Sequence, residues 1–299
     1  MNLAARFDAR AYARLAPQRE AARAQWTADM RWLDLADGQR LRILDTDGQL
    51  PALLIVPDGP CIIEHYLPMV AQLRDSLRVI CLDLPGFGMS APGPDYRHRL
   101  QDGAQVLLNT LTALRLDTAA IAASCCNGYY AMAAARQMPD RIHHLFLSQT
   151  PSLADMRNWV QRIVPRPIRV PLLGQALAYT KRQQIAHGWY KVALADREQR
   201  APFQQTAKRA LDNGGCYCFA SVVQGFSHCH ADDLQGIETP VTALWGMKDR
   251  SHAGCAAHSI HAHLPQARIT QAETAGHFPD LEAAPQFIAQ ILAELAPQH

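Results

Sequence analysis

Residues 118–132 read Thr-Ala-Ala-Ile-Ala-Ala-Ser-Cys-Cys-Asn-Gly-Tyr-Tyr-Ala-Met. The first half is a run of small apolar residues, typical of a buried strand, and the second half opens an Ala-rich stretch that favours a helix. A tight strand-to-helix turn can present a nucleophile at its apex if the residues two positions away on either side are small. The sequence therefore predicts an exposed nucleophile at this turn, and the reacting position holds a cysteine.

Three consecutive residues could occupy the apex of this turn: Ser124, Cys125 and Cys126. The run from Cys125 to Ala131, followed by Met-Pro-Asp-Arg-Ile at 138–142, resembles the α/β-hydrolase pattern of nucleophile, x, Gly, Gly, two residues and Ala, with a later Pro-Glu-Arg-Val. That resemblance puts Cys125 at the apex. Cys126 comes second, since a small residue and a glycine also flank it at two positions, and Ser124 comes third.

Three further stretches resemble α/β-hydrolase-fold enzymes. Residues 83–90 match the loop pattern D-x-P-G-x-G-x-S, residues 245–249 (Trp-Gly-Met-Lys-Asp) resemble the acid-bearing strand end, and residues 275–278 (Ala-Gly-His-Phe) resemble the histidine loop. Nucleophile, acid and histidine follow in the order of that fold. The resemblance covers most of residues 30–295 outside a central segment, and it implies a mostly parallel central sheet flanked by helices, with an inserted helical cap.

The resemblance implies a Cys-His-Asp catalytic triad. His277 would accept the proton of the Cys125 thiol, and Asp249 would hold the imidazole in the right tautomer and stabilise its cation. A neighbouring imidazolium and a helix N-terminus both favour the thiolate. The structural alternatives are an inert buried thiol at Cys125, a turn residue at Asp249 and a buried, hydrogen-bonded His277.

The oxyanion hole is where the chain departs most from the family pattern. Its expected donors are the backbone N–H groups of Cys126 and Gly59. Pro57 replaces the customary His of the early loop, and Asp58 replaces its first Gly. A carboxylate in the hole would oppose negative charge, unless Asp58 turns outward, caps the next turn or binds a cationic substrate group. Asn127 also stands where the family has Gly, although Asn tolerates unusual backbone angles.

Apolar runs and helical patterns alternate along the chain, which indicates a doubly wound sheet. Strands are predicted at 30–34, 41–45, 53–56, 77–82, 142–147 and 241–245, and helices at 66–77 and 100–114, after an amphipathic N-terminal helix. The predicted organisation is an N-terminal extension (1–29), a first core part (30–151), a helical cap (152–236) and a second core part (237–299). The cap contributes aromatic residues to a substrate pocket or to its own core: Trp159, Trp189, Tyr179, Tyr190, Tyr217 and Phe219.

Composition favours one globular enzyme. The chain has 299 residues, 48% hydrophobic content and a net charge of +2, which gives no electrostatic case for nucleic acid or an anionic membrane as partner. The first thirty residues do not resemble a signal peptide, and eight cysteines without such a signal predict reduced thiols in the cytoplasm. No metal and no organic cofactor is predicted. Cys216-x-Cys218 and His228-Cys229-His230, with His252, His258, His261 and His263 further on, invite a zinc interpretation, but their spacing is not that of common zinc sites. Scattered histidines at helix surfaces are the alternative.

A cysteine at the apex of this strand-to-helix turn favours acyl transfer over hydrolysis. The thioester that it forms exchanges readily with thiols and reacts slowly with water. The chain resembles the cysteine-nucleophile acyl and aminoacyl transferases and thioesterases that act on carrier proteins. The main prediction is therefore an acyltransferase that takes an acyl or aminoacyl substrate from a carrier protein or another thioester. Alternatives are a hydrolase of an ester, lactone or thioester, or a noncatalytic binding protein. An acidic carrier protein could dock on basic cap residues, which otherwise form a solvated helix face: Arg157, Arg162, Arg166, Arg169, Lys181 and Arg182.

Overall fold

A computed structural model describes residues 2–296 of the chain. Its strands are β1 (Met30–Asp34), β2 (Arg40–Asp45), β3 (Ala52–Val56), β4 (Arg78–Leu82), β5 (Phe87–Gly88), β6 (Ala119–Ser124), β7 (Ile142–Ser148), β8 (Cys216–Tyr217), β9 (Val241–Gly246) and β10 (Arg268–Ala272). Eight of them form one sheet in the order β1-β2-β4-β3-β6-β7-β9-β10. Within this sheet, as described for residues 2–296, β1–β2 and β2–β4 are antiparallel and the other neighbouring pairs are parallel.

Helices cover both faces of this sheet and form an insertion between β7 and β9. They are α1 (Leu3–Ala13), α2 (Ala16–Ala22), α3 (Ile63–Leu73), α4 (Leu100–Ala113), α5 (Asn127–Gln137), α6 (Leu153–Ile163), α7 (Leu173–Thr180), α8 (Arg182–Ala193), α9 (Arg197–Asp212), α10 (Phe219–Phe226), α11 (Pro279–Glu282) and α12 (Ala284–Leu295). Helices α6 to α10 make up the insertion. The predicted α/β-hydrolase fold, with a mostly parallel sheet and a helical cap, is confirmed. No helix of the described residues is long and apolar enough to cross a membrane.

The predicted domain boundaries stay predictions, and positions 1 and 297–299 of the outer ranges lie outside the described residues. The cap is tied to the core through a second, two-stranded sheet. In it β5, from the loop after β4, pairs antiparallel with β8 of the cap through Phe87 with Tyr217 and Gly88 with Cys216. The cap therefore has a hydrogen-bonded connection to the loop that the sequence singled out.

That loop is held by a buried ion cluster. Arg42 is fully buried, donates from Nε to Asp83 Oδ2 at 2.7 Å, and donates from Nη1 and Nη2 to the two oxygens of Glu64 at 2.6 and 2.7 Å. Asp83 also accepts the N–H of Met89 at 2.8 Å. At Gly88, φ is +49° and a Cβ would lie 2.1 Å from Asp83 Oδ2, so only glycine fits there. The motif at residues 83–90 thus serves a structural turn.

Two predicted helices differ from those observed. The N-terminal pattern forms α1 and α2 instead of one helix, with Pro17 in the first turn of α2, where proline is tolerated. The helix predicted at 66–77 lies at Ile63–Leu73. Its start is fixed from outside the helix, because the side chain of Asp83 accepts the N–H of Ile63 at 3.3 Å. That contact is tertiary, so the local pattern could not reveal it.

Candidate active site

The turn between β6 and α5 has the shape expected of a nucleophile elbow. Cys125 has φ +51°, a left-handed conformation that a side chain other than glycine adopts only when its surroundings hold it. Its N–H donates to the carbonyl of Ser148 at 2.7 Å, and its carbonyl accepts the hydroxyl of Thr150 at 2.9 Å. These bonds from the end of β7 fix Cys125 at the apex of the turn.

The other two candidates for the apex have different surroundings. Ser124 turns to the rear of the elbow, where its hydroxyl donates to Asp280 Oδ2 at 2.8 Å. Asp280 also accepts the hydroxyls of Ser148 and Tyr66, at 2.9 and 2.7 Å. Burial raises the pKa of Asp280, while these hydrogen bonds act in the opposite direction. Ser124 therefore belongs to a buried polar cluster that supports the elbow.

Cys126 lies beside the loop that follows β3. Its Sγ is 3.6 Å from Asp58 Oδ1, and the next residue, Asn127, donates from Nδ2 to the carbonyl of Pro57 at 2.7 Å. The side-chain amide of Asn127 therefore connects the elbow to the loop of Pro57, Asp58 and Gly59, which we call the oxyanion loop. The N–H groups of Gly59 and Cys126 donate to no protein oxygen within residues 2–296. Both predicted oxyanion donors are available for a ligand.

Asp58 points into the site. Its Oδ2 lies 3.2 Å from Nε2 of His277, and Nδ1 of the same ring lies 2.9 Å from Asp249 Oδ2. All three side chains are buried. Burial alone would lower the pKa of His277, but the charges and hydrogen bonds of Asp249 and Asp58 outweigh it and raise the pKa to about 10. The structure brings together the predicted acid and histidine, and it adds a second carboxylate on the other ring nitrogen.

The histidine in contact with the Cys125 thiol is one that the sequence placed only among scattered histidines, without a role beside the nucleophile. His252 Nε2 lies 3.9 Å from Cys125 Sγ. Its ring is stacked between that of His277, with centroids 4.6 Å apart, and that of Trp159, with centroids 4.7 Å apart. Burial lowers the pKa of His252, and the positive charge of His277 acts in the same direction. A possible signal was its place three residues after Asp249, in the same turn.

The two stacked histidine rings both place Nδ1 beside the carboxylate of Asp249. His252 Nδ1 lies 3.0 Å from His277 Nδ1, and Asp249 Oδ2 lies 3.3 Å from the former and 2.9 Å from the latter. The ligand atoms of Cys125, His252 and His277 lie within 4.8 Å of one another, so this set could also hold a metal ion. The neighbouring Cys126 thiol and burial both raise the pKa of Cys125. Forming its thiolate therefore requires a base and positive charge close by.

The thiol opens into a pocket between the core and the cap. The pocket contains about 540 Å³ of empty space, which includes some open to solvent. Four of the six cap aromatics that the sequence offered for such a pocket line it: Trp159, Trp189, Tyr217 and Phe219. The other apolar residues of its wall are Phe87, Met156, Val160, Val222, Val223 and Phe226. The walls fit a hydrophobic group next to a reactive carbonyl.

A family model described as "Alpha/beta hydrolase family" matches residues 53–291. This chain belongs to the α/β hydrolase family. The match spans the elbow, Asp249 and His277, so the sequence resemblance to this family is confirmed. The family and the fold are those of an enzyme of the hydrolase or acyltransferase type. The family match does not establish a cysteine as the nucleophile.

The chain is similar at low sequence identity to one esterase and to two solved structures. The chain is 23% identical over 255 residues to the pimeloyl-[acyl-carrier protein] methyl ester esterase of Nitrosomonas europaea, an alignment that covers 82% of this chain and 96% of that protein. Among solved structures, an esterase from Exiguobacterium antarcticum has a TM-score of 0.71 at 14% identity, covering 88% of this chain and 98% of the other. Epoxide hydrolase A from Mycobacterium thermoresistibile has a TM-score of 0.74 at 16% identity, covering 90% and 98%. At these identities the structures show the fold alone.

Proposed function

We propose that the protein is a hydrolase that cleaves a carboxylic ester, lactone or thioester through an acyl intermediate on Cys125. The observation that carries the proposal is the position of the Cys125 thiol, at the apex of a strained turn and 3.9 Å from an imidazole nitrogen. The esterases among the proteins it resembles favour hydrolysis over the acyl transfer expected from the sequence.

The first half of the reaction acylates the cysteine. His252 is neutral at neutral pH, since burial lowers its pKa, so Nε2 can accept the thiol proton as the sulfur attacks the carbonyl carbon. The imidazolium of His277, with a pKa of about 10, supplies positive charge beside the forming thiolate. The proton on His252 then passes to the leaving alcohol or thiol, and the acyl group remains on Cys125.

Water completes the cycle. Neutral His252 takes a proton from a water molecule as its oxygen attacks the thioester, and the proton passes to the departing Cys125 sulfur. In both steps the carbonyl oxygen becomes negative and accepts the N–H groups of Gly59 and Cys126. Asp58 is close to this charge, but its ion pair with His277 offsets part of its negative charge, which reduces the repulsion that the sequence led us to expect.

Acyl transfer to a second thiol is the second candidate, and the cysteine nucleophile is the observation that favours it. The carrier-protein docking surface expected for a transferase remains a proposal. Two of its six basic residues make contacts within the protein: Arg162 donates to the carbonyl of Ala253, and Arg182 lies over the ring of Tyr179 and donates to its carbonyl.

Intact-mass measurements with a hydrophobic acyl thioester test the proposal. We expect a transient adduct of one acyl group that disappears in buffer. An adduct lost only after a thiol acceptor is added would support transfer instead, and the absence of an adduct with thioesters and esters of several acyl lengths would support a noncatalytic binder. The adduct should be abolished in Cys125→Ala and should persist in Ser124→Ala and Cys126→Ala.

The assignment of the base is tested with two matched variants. His252→Gln should slow adduct formation about 10²–10⁴-fold, the usual contribution of a general base. His277→Gln should slow it less, because that ring contributes charge in this scheme. The reverse ranking would return the role of base to His277, as the sequence resemblance implies.

A further inference from the structure

A second cluster of reactive side chains lies apart from the candidate active site. It contains Asp8, His98 and Cys218, whose exposed fractions are 3%, 1% and 3%. One carboxylate oxygen, one ring nitrogen and the Sγ atom lie within 4.8 Å of one another. The hydroxyl of Ser221 donates to Asp8 Oδ2, which helps to hold the carboxylate in place.

His98 is the unusual member of this cluster. Within residues 2–296, neither of its ring nitrogens has a hydrogen-bond partner, although the residue is almost fully buried. A buried polar atom without a partner typically costs about 1–3 kcal/mol, so such atoms in native proteins call for an explanation. Its backbone also has φ +55°, a second cost for a residue with a side chain. A ligand on one ring nitrogen would account for part of the first cost.

The three side chains come from parts of the chain that are far apart in sequence. Asp8 lies on α1, His98 precedes α4, and Cys218 stands between β8 and α10. Gly86 makes their approach possible. It has φ +89° and accepts the N–H of Cys218 at 2.9 Å, and a Cβ there would lie 2.7 Å from His98 Cε1 and 3.0 Å from Cys218 Sγ.

We propose that Asp8, His98 and Cys218 bind one transition-metal dication, with Zn²⁺ as the best match. Thiolate, imidazole and carboxylate are all ordinary zinc ligands, with bond lengths of about 2.0–2.3 Å. A tetrahedral ion with these bonds needs its ligand atoms roughly 3.3–3.8 Å apart. The present separations are at most 4.8 Å, so binding would draw the ligand atoms together by no more than roughly 1.5 Å. The fourth position falls to a water molecule.

The charges of this set also suit a buried dication. A Cys218 thiolate and an Asp8 carboxylate together carry two negative charges, which balance those of Zn²⁺, and the neutral ring of His98 adds none. Burying a neutral assembly avoids the cost of an unpaired charge. Binding displaces the Cys218 thiol proton, which leaves with solvent.

The bound ion would link three structural units. It would attach the N-terminal helix α1 to the loop before α4 and to the cap, because each unit supplies one ligand. The sequence could not suggest it, since positions 8, 98 and 218 form no local motif. The spacing of Cys216-x-Cys218 with His228 and His230 already argues against zinc there. Both histidines are exposed, and within residues 2–296 neither joins a cluster of three metal ligands.

The first test measures metal content and ligand identity. The protein is expressed in minimal medium supplemented with Zn²⁺ or Co²⁺, because a buried site fills as the chain folds. We expect about one metal per chain, and for cobalt a thiolate-to-metal charge-transfer band. Both should be lost in Cys218→Ser and kept in Cys216→Ser, the matched control for a neighbouring buried thiol.

The candidate active site is the main competing location. Its Cys125, His252 and His277 also form a possible ligand set, so Cys125→Ala serves as the second control. Metal retained in Cys218→Ser but lost in Cys125→Ala would overturn the proposal, and so would metal-free protein from both media. If Cys218→Ser does not fold, Asp8→Asn and His98→Gln give the same test.

Hydrogen exchange of α1 gives a readout of the structural role. Amides of residues 3–13 should be protected more strongly in the zinc-loaded protein than after chelation under mildly denaturing conditions. This difference should disappear in His98→Gln. Equal protection with and without metal would contradict the linking role, whether or not Cys125 proves to be a nucleophile.

Discussion

The Nε2 atom of His277 lies 3.2 Å from Asp58 Oδ2, so the ring that should act on the thiol is paired with a carboxylate of the oxyanion loop. Its other nitrogen is already paired with Asp249. A histidine between two carboxylates is held as a cation, and it is more suited to stabilising a thiolate than to taking a proton at neutral pH. This geometry gives His252 its proposed role.

Asp58→Asn should lower the pKa of His277 from about 10 towards the ordinary value of about 6.5, because it removes one of two negative charges on the ring. The pKa is measured from the ring resonances by NMR titration. Asp75→Asn, an exposed change of the same charge, should leave it unchanged. A pKa that stays near 10 in Asp58→Asn would show that Asp249 alone holds the cation.

The ion pair of His277 and Asp58 makes the free energy of unfolding depend on pH. A histidine whose pKa is raised on folding stabilises the protein fully below the unfolded pKa of about 6.5, and this contribution is lost as pH rises through the folded value of about 10. Between these pH values the free energy of unfolding should fall by at most about 1.4 kcal/mol per pH unit. The slope, measured by urea denaturation, should be smaller in Asp58→Asn.

Asn127→Ala should destabilise the protein by about 1–3 kcal/mol, because the buried carbonyl of Pro57 would lose its donor. Urea denaturation measures the loss. Gln105→Ala, which removes an exposed helical amide, should change stability by less than about 0.5 kcal/mol. Acylation of Cys125 should also slow, since the amide connects the elbow to the loop that carries Gly59. Normal stability in Asn127→Ala would mean that water replaces the amide.

Arg42→Leu should destabilise the protein by about 3–5 kcal/mol, because it leaves the buried carboxylate of Asp83 without its positive partner. The exposed pair of Lys208 and Asp212 offers a contrast, and Lys208→Ala should cost less than about 1 kcal/mol. Thermal and urea unfolding would compare the two variants. A small effect in Arg42→Leu would indicate that Asp83 becomes protonated at little cost.

The strands were predictable because their signal is local. The apolar runs at 53–56 and 241–245 lie within β3 and β9, since a strand buried on both faces needs a continuous apolar sequence. The start of α3 was not predictable, because a carboxylate twenty residues away accepts its first N–H. Helix ends that depend on distant side chains leave no mark on the local pattern.

The sequence by itself determined the family, most strands of the large sheet, and the candidates Cys125, Asp249 and His277, because these depend on local apolar runs and short motifs. Only the tertiary structure decided that His252 contacts the thiol, that Asp58 pairs with His277, and that Asp8, His98 and Cys218 meet. These contacts join residues from different loops, and their distances depend on how the sheet, the cap and the N-terminal helix pack together.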